Sequence, residues 1–180
     1  MTCKAVFLDR DGVINRAIVV DGRPYAPRKF SEFRLMPGAR AGLARLRKAG
    51  LGVVVVTNQP DVARKLIDPE DLDRMNRRLI TELAVDAVKV CAHRQDEGCN
   101  CRKPRPGMLL DAAAELGIDL QRSYMVGDRW SDVEAGHAAG CYTLKIERGY
   151  ANDRPARADA VVRTFAQAVN HIIHRERNYA

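Results

Sequence analysis

Two carboxylates, Asp9 and Asp11, stand two positions apart where an apolar run ends in a glycine-containing loop. In an extended backbone, side chains two positions apart lie on the same side of the chain, so these carboxylates would repel each other. A divalent cation lying between them and a phosphate group would relieve the repulsion, and oxygen ligands of this kind suit Mg²⁺. An isolated Asp-x-Asp-Gly is more often an ordinary turn, so the interpretation depends on the residues that accompany it.

Three other polar groups are placed where they could act with this pair. Residues 57–59, Thr-Asn-Gln, follow a valine-rich run and offer a hydroxyl and backbone N–H groups to phosphate oxygens. Lys103 follows a cysteine-rich loop and supplies a cation that would offset the charge of a carboxylate and a phosphoryl group. Residues 128–132 carry aspartates at i and i+4 at the start of a predicted helix, where a metal ligand and its support are expected.

The elements that must position these groups alternate between strand and helix. Continuous apolar runs predict strands at 4–9, 51–57, 85–91, 123–126 and 142–146, with a short one at 159–162. Helical spacing predicts helices at 38–50, 69–84, 106–117, 131–140 and 165–174. This order is typical of an α/β fold with a doubly wound, Rossmann-like parallel sheet, whose active site lies beyond the carboxyl ends of the strands. The sequence therefore predicts one edge where all the polar groups meet.

Residues 91–101 form a loop rich in metal ligands. Its two x-spaced pairs, Cys91 with His93 and Cys99 with Cys101, match a closed tetrahedral Cys₃His zinc site with no open position for chemistry. We therefore expect structural Zn²⁺ here. The remaining cysteines, Cys3 and Cys141, are predicted to be small core residues.

Composition limits the wider function. At 180 residues and 46% hydrophobic, the chain is expected to form a single domain over residues 1–180, with a frayed basic tail at 174–180. The net charge of +7 favours an anionic partner, but the basic residues are scattered and no aromatic residues alternate with them, so nucleic acid is not the expected partner. No signal peptide or membrane-spanning run is evident, which predicts a cytoplasmic protein without a membrane partner. A monomer is favoured.

Taken together, four motifs resemble those of the haloacid dehalogenase (HAD) superfamily of phosphotransferases. They are Asp-Arg-Asp-Gly-Val-Ile-Asn at 9–15, Thr-Asn-Gln at 57–59, Cys-Arg-Lys-Pro at 101–104 and Val-Gly-Asp at 126–128, and the resemblance covers about residues 4–146. The resemblance implies a Mg²⁺-dependent phosphomonoester hydrolase that works through an aspartyl-phosphate intermediate.

The family's roles then fall on matching positions of this chain. Asp9 is implied to be the nucleophile, Asp11 the general acid and then base, Thr57 a phosphate ligand and Lys103 the charge clamp. The Mg²⁺ ligands implied are Asp9, the main-chain carbonyl of Asp11, and Asp128. Polar groups expected to contact the substrate are Asn58, Gln59, Arg102 and Arg129.

The zinc loop placed just before Arg-Lys-Pro is similar to that of heptose-bisphosphate and histidinol-phosphate phosphatases. It implies ligation by Cys91, His93, Cys99 and Cys101, and a small phosphorylated sugar as substrate. The expected activity is removal of the 7-phosphate from D-glycero-D-manno-heptose 1,7-bisphosphate, with the β anomer as first choice. The alternatives are a histidinol-phosphate phosphatase, a polynucleotide end phosphatase and a non-catalytic phosphosugar sensor.

Two features of the sequence bear on substrate choice. One is the number of residues between the motifs, and the other is a pair of departures from the subgroup's sequence pattern. Residues 12–56 and 58–102 are each 45 long and already hold core elements, so no separate cap domain is expected, and the site should be walled by residues 15–37, residues 60–68 and the zinc loop. Cys-Ala-His-Arg replaces Cys-Pro-His-His at 91–94, and Pro-Asp-Val-Ala-Arg-Lys stands at 60–65 where relatives carry Gly-Ile-Ala-Arg-Gly after a small residue. These changes lie at the expected mouth of the site.

Overall fold

The computed structural model describes residues 3–151 and 153–178 of the chain. Among these residues the strands are β1 (Ala5–Leu8), β2 (Ile18–Val20), β3 (Arg23–Tyr25), β4 (Gly52–Asn58), β5 (Ala87–Cys91), β6 (Tyr124–Gly127), β7 (Tyr142–Ile146) and β8 (Ala160–Val162). The helices are α1 (Ala39–Lys48), α2 (Pro69–Leu83), α3 (Gly107–Leu116), α4 (Trp130–Ala139) and α5 (Phe165–Asn178). Single 3₁₀ turns occupy Phe30–Glu32 and Leu120–Arg122.

Six strands form one parallel sheet in the order β5-β4-β1-β6-β7-β8. The chain passes from β1 through β4 to β5 on one side and then returns to β6 on the other side of β1. The reversal leaves a crevice at the carboxyl ends of β1 and β6, which is where ligands bind in sheets of this type. The predicted doubly wound α/β fold is confirmed.

The alternating sides of the central strands pack on two helical layers. In β4, Val53 and Val55 face a core built with α1, α2 and α5, whereas Val54 and Val56 face a second core built with α3. All four valines are fully buried, which explains why this run is continuously apolar and not alternating.

Helix α2 illustrates how local sequence sets the boundaries of an element. Asp68 is the N-cap, its side chain accepts a 2.9 Å hydrogen bond from Glu70 N, and Pro69 occupies the first turn. Leu72, Met75 and Leu79 recur at helical spacing and are buried against the sheet.

The described residues hold no separate cap domain, in agreement with the prediction, but the segment expected to be a loop contains a short hairpin. Strands β2 and β3 pair as a separate two-stranded sheet, and Ile18, Val19, Val20 and Tyr25 are exposed on it. The strands have only three residues each and β3 contains Pro24, but Ile18–Val20 is β-branched and Asp21-Gly22 is a typical two-residue hairpin turn with positive φ at both residues, so the sequence does carry a hairpin signal here.

The expectation of a frayed basic tail is wrong for the part of it that the structure describes. Helix α5 continues to Asn178, and the Glu176 carboxylate accepts hydrogen bonds of 2.6 Å from Lys4 Nζ and from the Tyr124 hydroxyl. These tertiary contacts hold a segment that the sequence alone leaves polar and unpartnered. Residues 179 and 180 of the predicted tail lie outside the described residues.

The prediction for the two isolated cysteines is half right. Cys141 is buried in the second core, whereas Cys3 is exposed beside the start of β1. In the described ranges, no helix has both the length and the apolar character needed to cross a membrane.

Candidate active site and metal-binding loop

The crevice between β1 and β6 brings together three carboxylates. Asp9 follows β1 and Asp128 follows β6, and the Asp9 amide donates to Val126 O across the two strands at 2.9 Å. Asp132 joins them from the first turn of α4. One oxygen from each of the three aspartates lies within 4.8 Å of the others, and all three residues are buried.

Lys103 supplies a cation within this cluster. Its Nζ atom donates to Asp9 Oδ1 at 2.8 Å and to Val56 O at 2.8 Å, and it lies 2.6 Å from Asp132 Oδ1. Burial alone would lower the pKa of Lys103, but the charges of Asp132 and Asp9 outweigh it and raise the pKa above its usual value. Lys103 is therefore charged at neutral pH.

Asp132 was not among the site residues expected from the motifs, although its spacing from Asp128 had suggested a supporting role. Its Oδ2 atom accepts a 3.0 Å hydrogen bond from Arg129 N at the start of α4, which fixes the side chain at the helix N-terminus. A Cβ atom at Gly127 would lie 2.1 Å from Asp132 Cβ, so the strand end must be glycine for Asp132 to reach the cluster.

The cluster carries more negative charge than Lys103 can balance. Burial raises the pKa of Asp9 to about 6, although Lys103 opposes the shift. Burial, followed by the charges of Asp9 and Asp132, raises the pKa of Asp128 well above its usual value. Asp128 Oδ1 is buried, and within the described part of the chain it has no hydrogen-bond partner. A hard divalent cation would satisfy this oxygen and lower these pKa values, so the donor set fits Mg²⁺.

Asp11 lies at the edge of this site and not inside the carboxylate cluster. Its side chain accepts hydrogen bonds from Asn15 Nδ2 at 2.9 Å and from Gln59 Nε2 at 2.7 Å, and Arg10 approaches both carboxylate oxygens at 3.2 Å. Arg10 is fully buried. The sequence does not predict this, because an arginine between two aspartates can point either into the core or toward solvent. These donors fix the orientation of the Asp11 carboxylate.

The Thr-Asn-Gln segment contributes to the site in a way that differs from the expected direct contacts. Thr57 lines the cavity and is buried, and its hydroxyl accepts from Gln59 Nε2 at 2.9 Å. Gln59 is also buried and bridges Thr57 to Asp11. Asn58 lines the cavity, but its amide pairs with the Lys103 backbone at 3.1 and 3.2 Å. Asn58 and Gln59 therefore hold other site residues in place.

Above the cluster lies an open cavity of about 510 Å³. Asp9, Asp11 and Lys103 line its floor. The three segments expected as walls all line the cavity, and the start of α4 together with Arg154 forms a fourth wall. The wall residues include Ala17, Pro24, Tyr25, Pro60, Asp61, Arg64, Gln95, Gly98, Cys99, Arg102, Arg129, Trp130 and Arg154. The cavity is therefore formed by polar strand ends below and by four separate segments above.

Several arginines give the upper cavity a positive charge. Arg102 and Arg129, both expected from the motifs, line it, and Arg129 also donates to Pro24 O at 2.7 Å and so ties the hairpin to α4. Arg64 lies in the expected wall at 60–68, whereas Arg154 lies outside the expected walls. Arg64 lies near the buried Asp61, with its NH1 atom 3.6 Å from Asp61 Oδ1. An anionic substrate suits this lining.

Tyr150 is a further site residue that the motifs did not indicate. It lies after β7, and its hydroxyl donates to Asp128 Oδ2 at 2.8 Å. Burial, followed by the charge of Asp128, raises the pKa of this hydroxyl, so it remains protonated and acts as the donor. The only available signal was position, since residues just beyond β7 lie at the edge of the sheet where the site is found.

The four ligands expected in the zinc loop are brought together. The Sγ atoms of Cys91, Cys99 and Cys101 are 3.1 to 3.6 Å apart, and His93 Nδ1 lies 3.6 Å from Cys91 Sγ and 3.2 Å from Cys101 Sγ. A tetrahedral zinc with bonds of about 2.3 Å places its sulfur ligands about 3.8 Å apart. The cluster therefore has the composition and nearly the spacing of a closed Cys₃His site.

Electrostatics also favour a cation in this loop. Burial raises the pKa of Cys91, and burial together with the hydrogen bond that Cys101 donates to Cys91 raises that of Cys101 to about 12, whereas at Cys99 burial is outweighed by the hydrogen bonds with Cys101 and Cys91, which lower its pKa. Adjacent thiolates are thus unfavourable without a metal, whereas zinc binds cysteine in its thiolate form. Cys101 is two residues from Lys103, so the metal-binding loop leads directly into the lysine of the site.

Comparison with known proteins agrees with this geometry. A family model described as HAD-hydrolase-like matches residues 100–168. A D-glycero-beta-D-manno-heptose-1,7-bisphosphate 7-phosphatase from Pseudomonas aeruginosa is 37% identical over 154 residues, which is 83% of this chain and 84% of that protein. The chain belongs to the HAD-like hydrolase family.

Other members of the family extend the comparison. The D-glycero-alpha-D-manno-heptose-1,7-bisphosphate 7-phosphatase of Mycobacterium tuberculosis is 40% identical over 152 residues, covering 78% of each chain. The crystal structure of D,D-heptose 1,7-bisphosphate phosphatase from B. bronchiseptica, complexed with magnesium and phosphate, superposes with a TM-score of 0.81 at 32% identity, over 96% of this chain and 99% of that one. Relatives of comparable identity thus carry the names of both anomers.

Replacing one zinc ligand tests the loop. Cys101→Ser is expected to lower the zinc content from about one equivalent to a small fraction, because a structural zinc site depends on all four ligands. Metal analysis of the purified protein measures the zinc content. Cys3→Ser is the matched control, since Cys3 is exposed and outside the cluster; a Cys101→Ser protein with full zinc content would contradict the assignment.

Proposed function

We propose that the protein is a Mg²⁺-dependent phosphatase that removes the 7-phosphate from D-glycero-D-manno-heptose 1,7-bisphosphate through an aspartyl phosphate on Asp9. The observation that carries the proposal is the buried Asp9–Lys103 pair, joined at 2.8 Å, on the floor of a cationic cavity beside an Asp128 oxygen without a protein partner. Relatives of 37 to 40% identity that bear the name of this activity support the choice of substrate.

Asp9 is assigned as the nucleophile. Lys103 binds Asp9 Oδ1, which leaves Oδ2 as the oxygen that attacks phosphorus. The bond from Oδ2 to phosphorus forms while the bond from phosphorus to the sugar oxygen breaks. A carboxylate and a phosphate dianion repel each other, and the fixed charge of Lys103 offsets this repulsion where the bond forms. Thr57, at the same floor, is assigned to a phosphate oxygen.

Asp11 is assigned to proton transfer. Protonated Asp11 gives its proton to the departing sugar oxygen, and the resulting carboxylate then takes a proton from the water that attacks the phosphoaspartate. The second attack breaks the bond to Asp9 and releases inorganic phosphate. Asn15 and Gln59 hold the Asp11 carboxylate from either side, which keeps one group oriented for both steps.

The residues that would hold Mg²⁺ are Asp9, Asp128 and the main-chain carbonyl of Asp11. When bound, the cation would neutralise negative charge on the phosphoryl oxygens as the carboxylate approaches. Asp132 is assigned to Lys103, which it orients from 2.6 Å, and not to the cation.

Substrate choice is assigned to the upper cavity. An uncapped cavity of about 510 Å³ admits a small phosphorylated sugar, and Arg102 and Arg129 are placed to bind its polar groups. The floor supplies the chemistry for any phosphomonoester, so the walls must distinguish one substrate from another.

Phosphate release from a panel of metabolites with Mg²⁺ present tests the function. We expect kcat/KM to be highest for one anomer of D-glycero-D-manno-heptose 1,7-bisphosphate, with cleavage at the 7-phosphate, and lower for histidinol phosphate and for an oligonucleotide 5′-phosphate. Preferred cleavage of histidinol phosphate would replace the proposed substrate. Negligible release from every compound would favour a phosphosugar sensor.

Asp9→Asn tests the nucleophile. We expect turnover to fall at least about 10⁴-fold while the protein stays folded, because an amide cannot form the covalent intermediate. Phosphate release measures the first effect, and circular dichroism with thermal unfolding measures the second. Asp111→Asn, at an exposed position of α3, is the matched control and should retain activity; activity retained by Asp9→Asn itself would exclude the mechanism.

The raised pKa of Asp9 predicts the acid limb of the pH profile. Because that pKa is about 6, the nucleophile is protonated below this pH, and kcat/KM should fall about tenfold per pH unit on the acidic side when Mg²⁺ is limiting. A bound cation favours the ionised carboxylate, so raising the Mg²⁺ concentration should move the limb to lower pH. A limb that does not move with Mg²⁺ would have to belong to a group away from the cation.

A further inference from the structure

The segment between β7 and β8, described over residues 147–151 and 153–159, crosses the site although it belongs to none of the four motifs. Arg148 donates from Nε and from NH2 to Gly12 O at 3.1 and 2.7 Å. Asp153 accepts from Trp130 N at 3.1 Å and pairs with Lys145 Nζ at 2.5 Å. The segment is thus attached both to the Asp-x-Asp-Gly loop and to the start of α4.

Tyr150 lies between these two attachment points and contacts the carboxylate at the end of β6. Its hydroxyl donates to Asp128 Oδ2 at 2.8 Å, whereas Asp128 Oδ1 is buried without a hydrogen-bond partner among the described residues. The two oxygens of this carboxylate are therefore not equivalent. One is held by the protein, and the other is left for a ligand.

The space around the pair is tight. A Cβ atom at Gly12 would lie 1.8 Å from Asp128 Oδ2 and 2.9 Å from the Tyr150 hydroxyl oxygen, so the catalytic loop packs directly on this hydrogen bond. Gly12 also has a φ of 91°, a backbone conformation that favours glycine. The Asp128 side chain consequently has little room to rotate while Tyr150 remains bonded to it.

We infer that Tyr150 is a positioning residue for the metal site, which holds Asp128 Oδ2 so that Oδ1 faces the cation. The inference rests on the proposed role of Asp128 as a Mg²⁺ ligand. Partners that hydrogen-bond a ligating carboxylate fix its orientation, and their loss typically weakens metal binding about 10- to 100-fold. Tyr150 is supplied by a segment outside the four motifs, so it links that segment to cation affinity.

A packing role for the ring is the competing explanation. Tyr150 also lines a smaller cavity of about 240 Å³ together with Tyr25 and Trp130. Replacement by phenylalanine keeps the ring and removes only the hydroxyl. The two roles then predict different results, because a purely packing role leaves Mg²⁺ affinity unchanged.

The test is the Mg²⁺ dissociation constant of Tyr150→Phe, measured by titration calorimetry. The protein is first dialysed free of Mg²⁺ without a chelator, so that the zinc loop stays loaded. We expect the dissociation constant to rise at least about tenfold and kcat to recover at saturating Mg²⁺. Tyr142→Phe is the matched control, since it removes a hydroxyl that contacts His171 at 3.1 Å, away from the site.

Two different results would overturn the inference, one at Tyr150 and one at Asp128. An unchanged dissociation constant in Tyr150→Phe, whether or not the melting temperature falls, would leave Tyr150 with a packing role only. Asp128→Asn should lose measurable Mg²⁺ binding. If Asp128→Asn instead binds Mg²⁺ like the wild type, the proposed metal ligand itself is wrong, and the role of Tyr150 is overturned with it.

Discussion

The candidate site depends on a buried lysine surrounded by carboxylates. Lys103 lies between Asp9 and Asp132, and Asp128 adds a third negative charge that the lysine does not contact. A buried charge is tolerated only when it is paired and hydrogen-bonded, so three carboxylates and one ammonium group form an incomplete set. Because the cluster lacks at least one positive charge, it favours the binding of a divalent cation. The cation in turn favours the binding of a phosphoryl group.

The fold is the means by which these charges come together from three separate stretches of chain. Parallel strands end at one edge of the sheet, so Asp9 and Asp128 become neighbours although they are more than a hundred residues apart in sequence. Lys103 enters from a loop and not from a strand, and β4 holds it through Asn58 at its backbone and Val56 O at its ammonium group. The Cys₃His cluster, ending two residues before the lysine, gathers the ligands of a metal site in the same loop.

Much of this arrangement could be predicted from sequence because strong local signals coincided with it. Continuous valine runs and capped helices identify the sheet and its layers, and Asp9, Lys103 and Asp128 belong to short motifs placed at strand ends. The zinc ligands are equally apparent from the spacing of soft ligands. In each case a residue's type and its immediate neighbours carry the information.

What could not be predicted depends on contacts between distant segments. Tyr150 and Arg148 have ordinary neighbours in sequence, and only the folded chain shows that they contact Asp128 and Gly12. Gln59 belongs to a motif, yet its burial turns an expected substrate contact into a support for Asp11. The last turn of α5 is held by the hydrogen bonds of Glu176 with Lys4 and Tyr124. No local sequence pattern at a polar helix end predicts such partners.

The division of the cavity into a floor of strand ends and walls of separate segments has an evolutionary consequence. Mutations at residues 60–65 or in the hairpin change what surrounds the leaving group, whereas the carboxylates below are held by their own contacts with Lys103 and Tyr150. A lineage can therefore exchange one phosphorylated metabolite for another, or one anomer for the other, through a few substitutions that leave reactivity intact. The same separation gives protein engineers a set of wall positions that can be randomised while the chemical step is preserved.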